Sequence, residues 1–170
     1  MALHGFLQGY RGYADTPALG NALRALQEEG LDQLPLPGSG QTLSRLSQLA
    51  QVAGHDLRLC KLFEGHTDAL AIIAELDSPL PPLGSTWGMW AAEPPTAKVR
   101  VRRDGQRLLV EGRKAWCSGA AVVSHGLLTA WDEEDRQQLV AVAMDQPGIT
   151  VTDEGWKAVG MAATGSVDIL

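Results

Sequence analysis

The sequence has 170 residues, of which 45% are hydrophobic and 20% charged, and its formal net charge at pH 7 is -6. This length and apolar content can bury a hydrophobic core in one domain or in two small ones. The basic residues cluster only at 98–107, which a solvated hairpin face explains, so nucleic acid is not expected as a partner.

The N-terminal region and the two cysteines indicate the cellular compartment of the protein. Arg11 and the lack of a sustained apolar run predict neither a signal peptide nor a membrane-spanning helix. Cys60 and Cys117 fall in different predicted elements and have no metal-ligand spacing, which fits a reducing cytoplasm. We therefore expect a cytoplasmic protein without a membrane span.

Apolar residues in the first part of the chain recur at the spacing of amphipathic helices. One short helix is predicted within residues 1–13. A second begins at Thr16, which we expect to be its N-cap, and ends at Gly30. Prolines and glycines make residues 31–40 a predicted loop.

Two further helices are predicted before the composition changes. The first covers residues 42–54, and Asp56 can cap the second. The apolar stripe of that last helix, from Leu59 to Leu76, is interrupted only by His66. A histidine there could be a ligand or a base, but a core residue that is hydrogen-bonded to a neighbouring helix is the commoner case.

Leucine-rich helices give way to short segments rich in valine and tryptophan near residues 77–84. We place a domain boundary there, with a helical domain at 1–80 and a β domain at 84–170. The predicted fold class is α+β, with an antiparallel β sandwich or barrel after the helices. Asp104-Gly105 predicts a two-residue hairpin turn. The predicted strands are 86–92, 98–103, 107–111, 125–131, 138–144 and 149–152, and the chain also ends in a strand-like segment.

Four stretches resemble, in sequence and in order, the acyl-CoA dehydrogenase family of flavoproteins, which desaturate acyl thioesters. They are Asp56-Leu57, Ala92-Glu93-Pro94, residues 112–120 (GRKAWCSGA) with 127–130 (LLTA), and residues 160–166 (GMAATGS). The resemblance covers residues 42–170. It implies the N-terminal helical domain and most of the middle β domain of that family, without the C-terminal helical domain.

The resemblance also implies a binding site for FAD. Trp116 matches a tryptophan that packs against the flavin, and Ser118 matches a residue whose hydroxyl faces the reactive edge of the isoalloxazine ring. Trp90 and Ala92 match the strand that faces the flavin pyrimidine and the substrate thioester, where Glu93 is expected to bind substrate. Ala92 stands where the family usually has threonine, which removes one hydroxyl contact.

The resemblance implies an FAD-dependent oxidoreductase of fatty acid metabolism that acts on an acyl-CoA thioester. No residue matches the glutamate base of the family, and proton abstraction needs a base within hydrogen-bond reach. No catalytic residue is therefore assigned, and we expect the chain to be inactive alone and to pair with itself or with a partner that supplies the C-terminal helices.

Two other functions remain open at this point. The chain could be a non-catalytic assembly or binding module that has lost the flavin, for which Ala92 and the altered turn at Pro94-Pro95 are the supporting features. It could instead belong to a flavin monooxygenase or oxidase of the same fold, since fold alone does not determine chemistry. A local hypothesis makes Cys117 a nucleophile served by His125, but no third orienting residue accompanies them. No metal site is predicted.

Overall fold

A computed structural model describes residues 2–10, 12–157 and 159–170. Helices precede strands, which confirms the predicted α+β class. The helices are α1 (Ala2–Gln8), α2 (Thr16–Glu28), α3 (Thr42–His55) and α4 (Leu57–Glu75). The strands are β1 (Trp87–Trp90), β2 (Val99–Asp104), β3 (Arg107–Gly112), β4 (Lys114–Cys117), β5 (His125–Trp131), β6 (Gln137–Ala143), β7 (Val151–Gly155) and β8 (Val167–Ile169), with a 3₁₀ helix at Ala162–Thr164 before β8.

The N-cap residues of α2 and α4 confirm one prediction and contradict another. Asp56 caps α4, as expected, because its carboxylate accepts hydrogen bonds from the first turn. Thr16 is not the N-cap of α2. Asp15 takes that role by accepting from the amide of Ala18, and the Thr16 hydroxyl donates instead to the carbonyl of Ala163. In the predicted helical stretch 1–13, only α1 is helical among the described residues, and residues 1 and 11 lie outside them.

The strands form two sheets. In the larger one β5 pairs antiparallel with β6, and β2 forms a hairpin with β3. β1 pairs with β5 in parallel, and β2 meets β5 in parallel at Arg100 and Trp131, so the antiparallel arrangement expected from the sequence is wrong at these two pairings. The chain passes through β2, β3 and β4 between β1 and β5, and this long crossover lets both strands run in one direction.

The smaller sheet has the order β4-β8-β7 and contains the strand that the sequence did not predict. Residues 114–117 are not among the predicted strands, but β4 pairs antiparallel with β8 there, with a shift of register between its two ends. The hairpin between β2 and β3 is confirmed. Its two loop residues are Gly105 and Gln106, because Asp104 still pairs with Arg107.

One hydrophobic core joins the helices to the sheets. Leu23 of α2 and Phe63 of α4 are fully buried in the same cluster as Val99, Leu128 and Cys117 from the strands. The division of the chain into domains at 80–84 stays a prediction, and the core extends across that boundary. The functional consequence is that α4 is held directly against β1 and against the turn that follows β4.

His66 of α4 is buried in this core, as predicted. Its Nε2 lies 3.0 Å from Oδ2 of Asp32, and the amide of Trp87 donates to its Nδ1 over 3.2 Å. Nδ1 therefore accepts and Nε2 carries the hydrogen. Both ring nitrogens are hydrogen-bonded within the protein, but the partner residues lie in a loop and in a strand, not in the expected neighbouring helix.

Candidate functional site

A cavity of about 390 Å³ opens where α4 meets the ends of β1 and β4. We call it the tryptophan pocket. Its volume lies within the range of about 300–1,000 Å³ that is common for small-molecule sites. Four predicted site residues, Trp90, Ala92, Trp116 and Ser118, line it together. The remaining lining residues are Lys61, Met89, Ala91, Trp156, Met161, Thr164 and Ser166.

Trp116 owes its orientation to an irregularity in β4. Its φ of 58° lies in the left-handed region, which costs a residue with a side chain roughly 1–2 kcal/mol. The register shift between β4 and β8 falls between Lys114 and Cys117, a span that contains Trp116. The backbone N–H of Trp116 leaves the strand pairing and donates to Oδ1 of Asp168 over 3.1 Å. A bulge of this kind redirects a side chain, and here the indole is 44% exposed at the pocket.

Trp90 forms a buried wall of the tryptophan pocket. Its indole N–H donates to the carbonyl of Ser118 over 3.1 Å, which ties the end of β1 to the turn after β4. The ring covers Gly88 and Gly126, and a Cβ at either glycine would overlap ring atoms. Two adjacent strands thus carry glycine so that a large flat side chain can lie across them.

Helix α4 fits against the turn that carries Ser118. Gly119 has a φ of 72°, and a Cβ there would come within 3.1 Å of the Leu62 side chain. Only glycine combines this backbone conformation with such a close helix. The amide of Gly119 donates to the carbonyl of Thr164 over 2.8 Å, so the turn is fixed from two sides.

Three hydroxyl groups form a row on one side of the pocket. The Oγ atoms of Ser118 and Ser166 are 2.7 Å apart, and Oγ of Ser166 lies 2.9 Å from Oγ1 of Thr164. Thr164 in turn donates to the carbonyl of Met161 over 2.7 Å. The row gives an otherwise apolar pocket a small polar edge.

Glu93 does not line the tryptophan pocket. Its carboxylate accepts from Oγ1 of Thr129 at 2.6 Å and from Nε1 of Trp131 at 2.9 Å, and it lies 3.3 Å from Nζ of Lys114. Lys114 is only 2% exposed and needs a countercharge. Burial alone raises the pKa of Glu93, but these hydrogen bonds and the charge of Lys114 leave it below its ordinary value. The geometry gives Glu93 a structural partner in Lys114, and its contact with a substrate stays a prediction.

The charge inventory of the pocket limits its chemistry. Among the described residues that line it, Lys61 alone has a charged side chain, and it pairs with Glu64 at 2.8 Å. None of these lining residues is an aspartate, glutamate or histidine that could take a proton from carbon. In the same described ranges, no group of three or more His, Cys, Asp or Glu side chains is arranged for a metal ion.

The Cys117 nucleophile hypothesis is wrong. The thiol is fully buried and donates to the carbonyls of Lys114 and Ala115. Burial raises the pKa of Cys117 to about 12, so the reactive thiolate is absent at neutral pH. His125 has other partners, since its ring stacks on Trp87 and its Nδ1 bonds with the Ser124 hydroxyl.

Sequence reasoning missed several residues of the pocket. Ser166 and Thr164 lie in the stretch 160–166 that carried part of the family resemblance, but no role had been assigned to them. Three polar or turn-forming residues in a row, Thr164-Gly165-Ser166, were the available signal. Trp156 gave no comparable signal, because its place beside Trp116, with ring centroids 6.1 Å apart, depends on the pairing of β7 with β8.

No protein-family model and no curated protein sequence matches the chain. Solved structures do match its fold. FkbI, from biosynthesis of a methoxymalonyl extender unit, has a TM-score of 0.75 at 21% identity, over 88% of this chain and 47% of its own. A glutaryl-CoA dehydrogenase from Mycobacterium smegmatis in complex with FADH2 has a TM-score of 0.72 at 17% identity, over 99% and 50%. KijD3 in complex with FMN and a dTDP-linked amino sugar has a TM-score of 0.67 at 23% identity, over 99% and 48%.

These structures are enzymes of the acyl-CoA dehydrogenase-like fold, and this chain shares that fold. The chain spans about half the length of the solved structures that it matches. Their identities are too low to transfer an activity. Across the part of the chain that the structure describes, no helix has both the length and the apolar character to cross a bilayer.

Proposed function

We propose that this chain is the flavin-facing part of an acyl-CoA dehydrogenase-like oxidoreductase and that the isoalloxazine ring of FAD binds in the tryptophan pocket. The observation that carries the proposal is the assembly of Trp90, Ala92, Trp116 and Ser118 in one cavity. Two family motifs far apart in sequence suggested these four residues, and the fold brings the two segments that carry them, 90–92 and 116–118, together. A chance resemblance would not predict a shared cavity.

The pocket suits a flat heterocycle. Trp90 and Trp116 offer aromatic surface, and Met89 and Met161 offer adaptable apolar contacts. Ser118 supplies a hydroxyl at the edge, whereas Ala92 supplies only backbone groups and a methyl. A bound flavin provides the electron-transfer chemistry, and the residues of the chain hold the ring, orient it and keep water from its covered face.

An acyl-CoA thioester is the substrate that the family resemblance suggests. Its α proton needs a base, and the described lining of the pocket offers none. We therefore propose that a helical domain outside these 170 residues completes the site, from the same polypeptide, a second copy or a partner chain. Action in the cytoplasm on fatty acid intermediates belongs to the same proposal.

A second candidate is a flavin monooxygenase or oxidase. Structures with this fold include a methanesulfinate monooxygenase from Pseudomonas fluorescens and a nitrososynthase from Micromonospora carbonacea. Oxygen uptake by the completed enzyme with reduced flavin would distinguish the two, since a dehydrogenase passes its electrons to another acceptor.

The first test is titration of the chain with FAD, and separately with FMN, while tryptophan fluorescence is followed. We expect saturable quenching by at least one flavin. Trp116→Leu should weaken binding about twofold to tenfold, because it removes an aromatic contact worth about 0.5–1.5 kcal/mol. Trp131→Phe is the matched control, since Trp131 lies outside the pocket and its loss should leave the affinity unchanged.

Two results would count against the proposal. Equal weakening by Trp116→Leu and Trp131→Phe would show that the flavin does not bind at the pocket. No saturable binding of either flavin would favour the non-catalytic module, in which Ala92 marks the loss of the cofactor.

A further inference from the structure

The row of hydroxyl groups in the tryptophan pocket has a fixed direction. A serine or threonine hydroxyl has one hydrogen to donate and two lone pairs to accept with. Thr164 gives its hydrogen to the carbonyl of Met161. Thr164 must therefore accept from Ser166 in the 2.9 Å bond between their oxygens. Ser166 has then used its own hydrogen, so it must accept from Ser118 in the 2.7 Å bond.

This direction leaves Ser118 with no hydrogen for a ligand. Its hydroxyl donates into the row, and only its oxygen lone pairs remain for a group in the pocket. The family resemblance implies a Ser118 hydroxyl that faces the reactive edge of the ring, and this arrangement lets that hydroxyl offer lone pairs there but no hydrogen. Ser118 is set as an acceptor.

The far end of the row is held firmly, so the direction does not depend on Ser118 itself. Thr164 is 1% exposed and closes the 3₁₀ helix between two residues with positive φ, Met161 and Gly165. Its backbone carbonyl is also occupied by the amide of Gly119. A carbonyl oxygen such as that of Met161 can only accept, so the row cannot be inverted by turning every hydroxyl around.

We propose that Ser166 and Thr164 are positioning residues that hold Ser118 as a hydrogen-bond acceptor, so that the tryptophan pocket binds reduced flavin in preference to oxidised flavin. The inference rests on the proposed flavin site. With the reactive edge of the ring at Ser118, as the family resemblance implies, N5 of the oxidised isoalloxazine ring would be an acceptor without a donor. N5 of the two-electron reduced ring carries a hydrogen, which Ser118 can accept. Leaving a polar group unpaired in such a site lowers affinity by about tenfold.

The test measures dissociation constants of oxidised FMN and of anaerobically reduced FMN for the chain by equilibrium titration. The wild-type chain should bind reduced FMN about tenfold more tightly, which corresponds to a rise of about 30 mV in the two-electron potential of the bound flavin. Ser166→Ala frees the Ser118 hydrogen for the ligand. It should tighten binding of oxidised FMN and bring the ratio of the two constants to about one.

Two further variants separate positioning from damage to the fold. Ser118→Ala removes both the donor and the acceptor, so its ratio should also fall to about one, without any gain for oxidised FMN. Thr164→Val removes the group that fixes Ser166 and should shift the ratio in the same direction as Ser166→Ala. Ser44→Ala on the exposed face of α3 is the control and should match wild type.

Each outcome decides between the two proposals. A ratio that Ser166→Ala leaves at the wild-type value, or a wild-type preference for oxidised FMN, overturns this inference while the flavin site stands. Failure of both redox states to bind overturns the flavin site itself and this inference with it. A gain in affinity for oxidised FMN in Ser166→Ala supports the inference, because a merely damaged pocket would lose affinity.

Discussion

Cys117 shows how the core controls a residue that looked reactive in the sequence. The thiol is fully buried in the hydrophobic core, and its hydrogen is shared with two carbonyls of its own strand. Burial raises its pKa from the ordinary 9.0 to about 12. The folded protein therefore keeps a proton that the unfolded chain loses above pH 9.

This difference predicts a pH dependence of stability. Below pH 9 the Cys117 thiol is protonated in both the folded and the unfolded state, so the stability contribution of its raised pKa is fully present. Above pH 9 the unfolded chain loses this proton while the folded protein keeps it, so the free energy of unfolding falls as the pH rises towards 12. Between pH 9 and 10 the wild type should lose about 1 kcal/mol more free energy of unfolding than Cys117→Ala. Urea unfolding at both pH values measures this. Parallel losses in the two proteins would show that the thiol is not buried as described.

At the scale of single elements, β4 is the strand on which the site depends. It holds Trp116 in a left-handed conformation, and Asp168 of β8 compensates by accepting the displaced N–H. The second carboxylate oxygen of Asp168 bonds with Arg113 over 3.0 Å, which fixes the carboxylate itself. The position of the pocket tryptophan is therefore set from the neighbouring strand.

Asp168→Ala should consequently loosen Trp116. Loss of the acceptor should lower the free energy of unfolding by about 1–3 kcal/mol and reduce the near-UV circular dichroism of the tryptophans. Asp153→Ala is the matched control, since it removes an exposed carboxylate from the adjacent strand β7. A near-UV spectrum that Asp168→Ala leaves unchanged would contradict the role given to this carboxylate.

The elements also show how far sequence reasoning reached. Helix α4 and strand β5 were predicted well because their apolar patterns are long and regular. Strand β4 was missed because four residues that include a bulge carry no alternating pattern. The parallel pairing of β1 with β5 depends on a crossover of 34 residues between them, and no local signal records such a pairing.

The residues of the candidate site also divide into those that the sequence predicted and those that it did not. Trp116 and Ser118 were identified through motif resemblance, and the structure brings both to the pocket with Trp90 and Ala92. Glu93 was identified from the motif Ala92-Glu93-Pro94, but its carboxylate contacts Lys114. That this lysine is buried could not be recognised from its position in the sequence. The direction of the hydroxyl row depends on distances between Ser118, Ser166 and Thr164 and had no sequence signal at all.

For the molecule as a whole, the pocket draws on α4, both sheets and the segment before β8. A ligand there should stabilise all of them together. At a flavin concentration 100 times the dissociation constant, the free energy of unfolding should rise by about 2.7 kcal/mol. For a chain of this size that corresponds to an increase of about 5–10 °C in Tm. Calorimetry checks this, and Trp116→Leu should show a smaller increase at the same flavin concentration.

The fit between Leu62 and Gly119 has a consequence for protein engineering. Helix α4 is shaped to one particular turn, and that turn carries the residue that faces the ligand. A chimera that joins this helical half to the β half of a distant fold relative would bring together a helix and a turn whose surfaces are not complementary in shape. The two halves of this chain are therefore not interchangeable modules, and recombination within the fold will succeed only where the helix and its turn are exchanged as a pair.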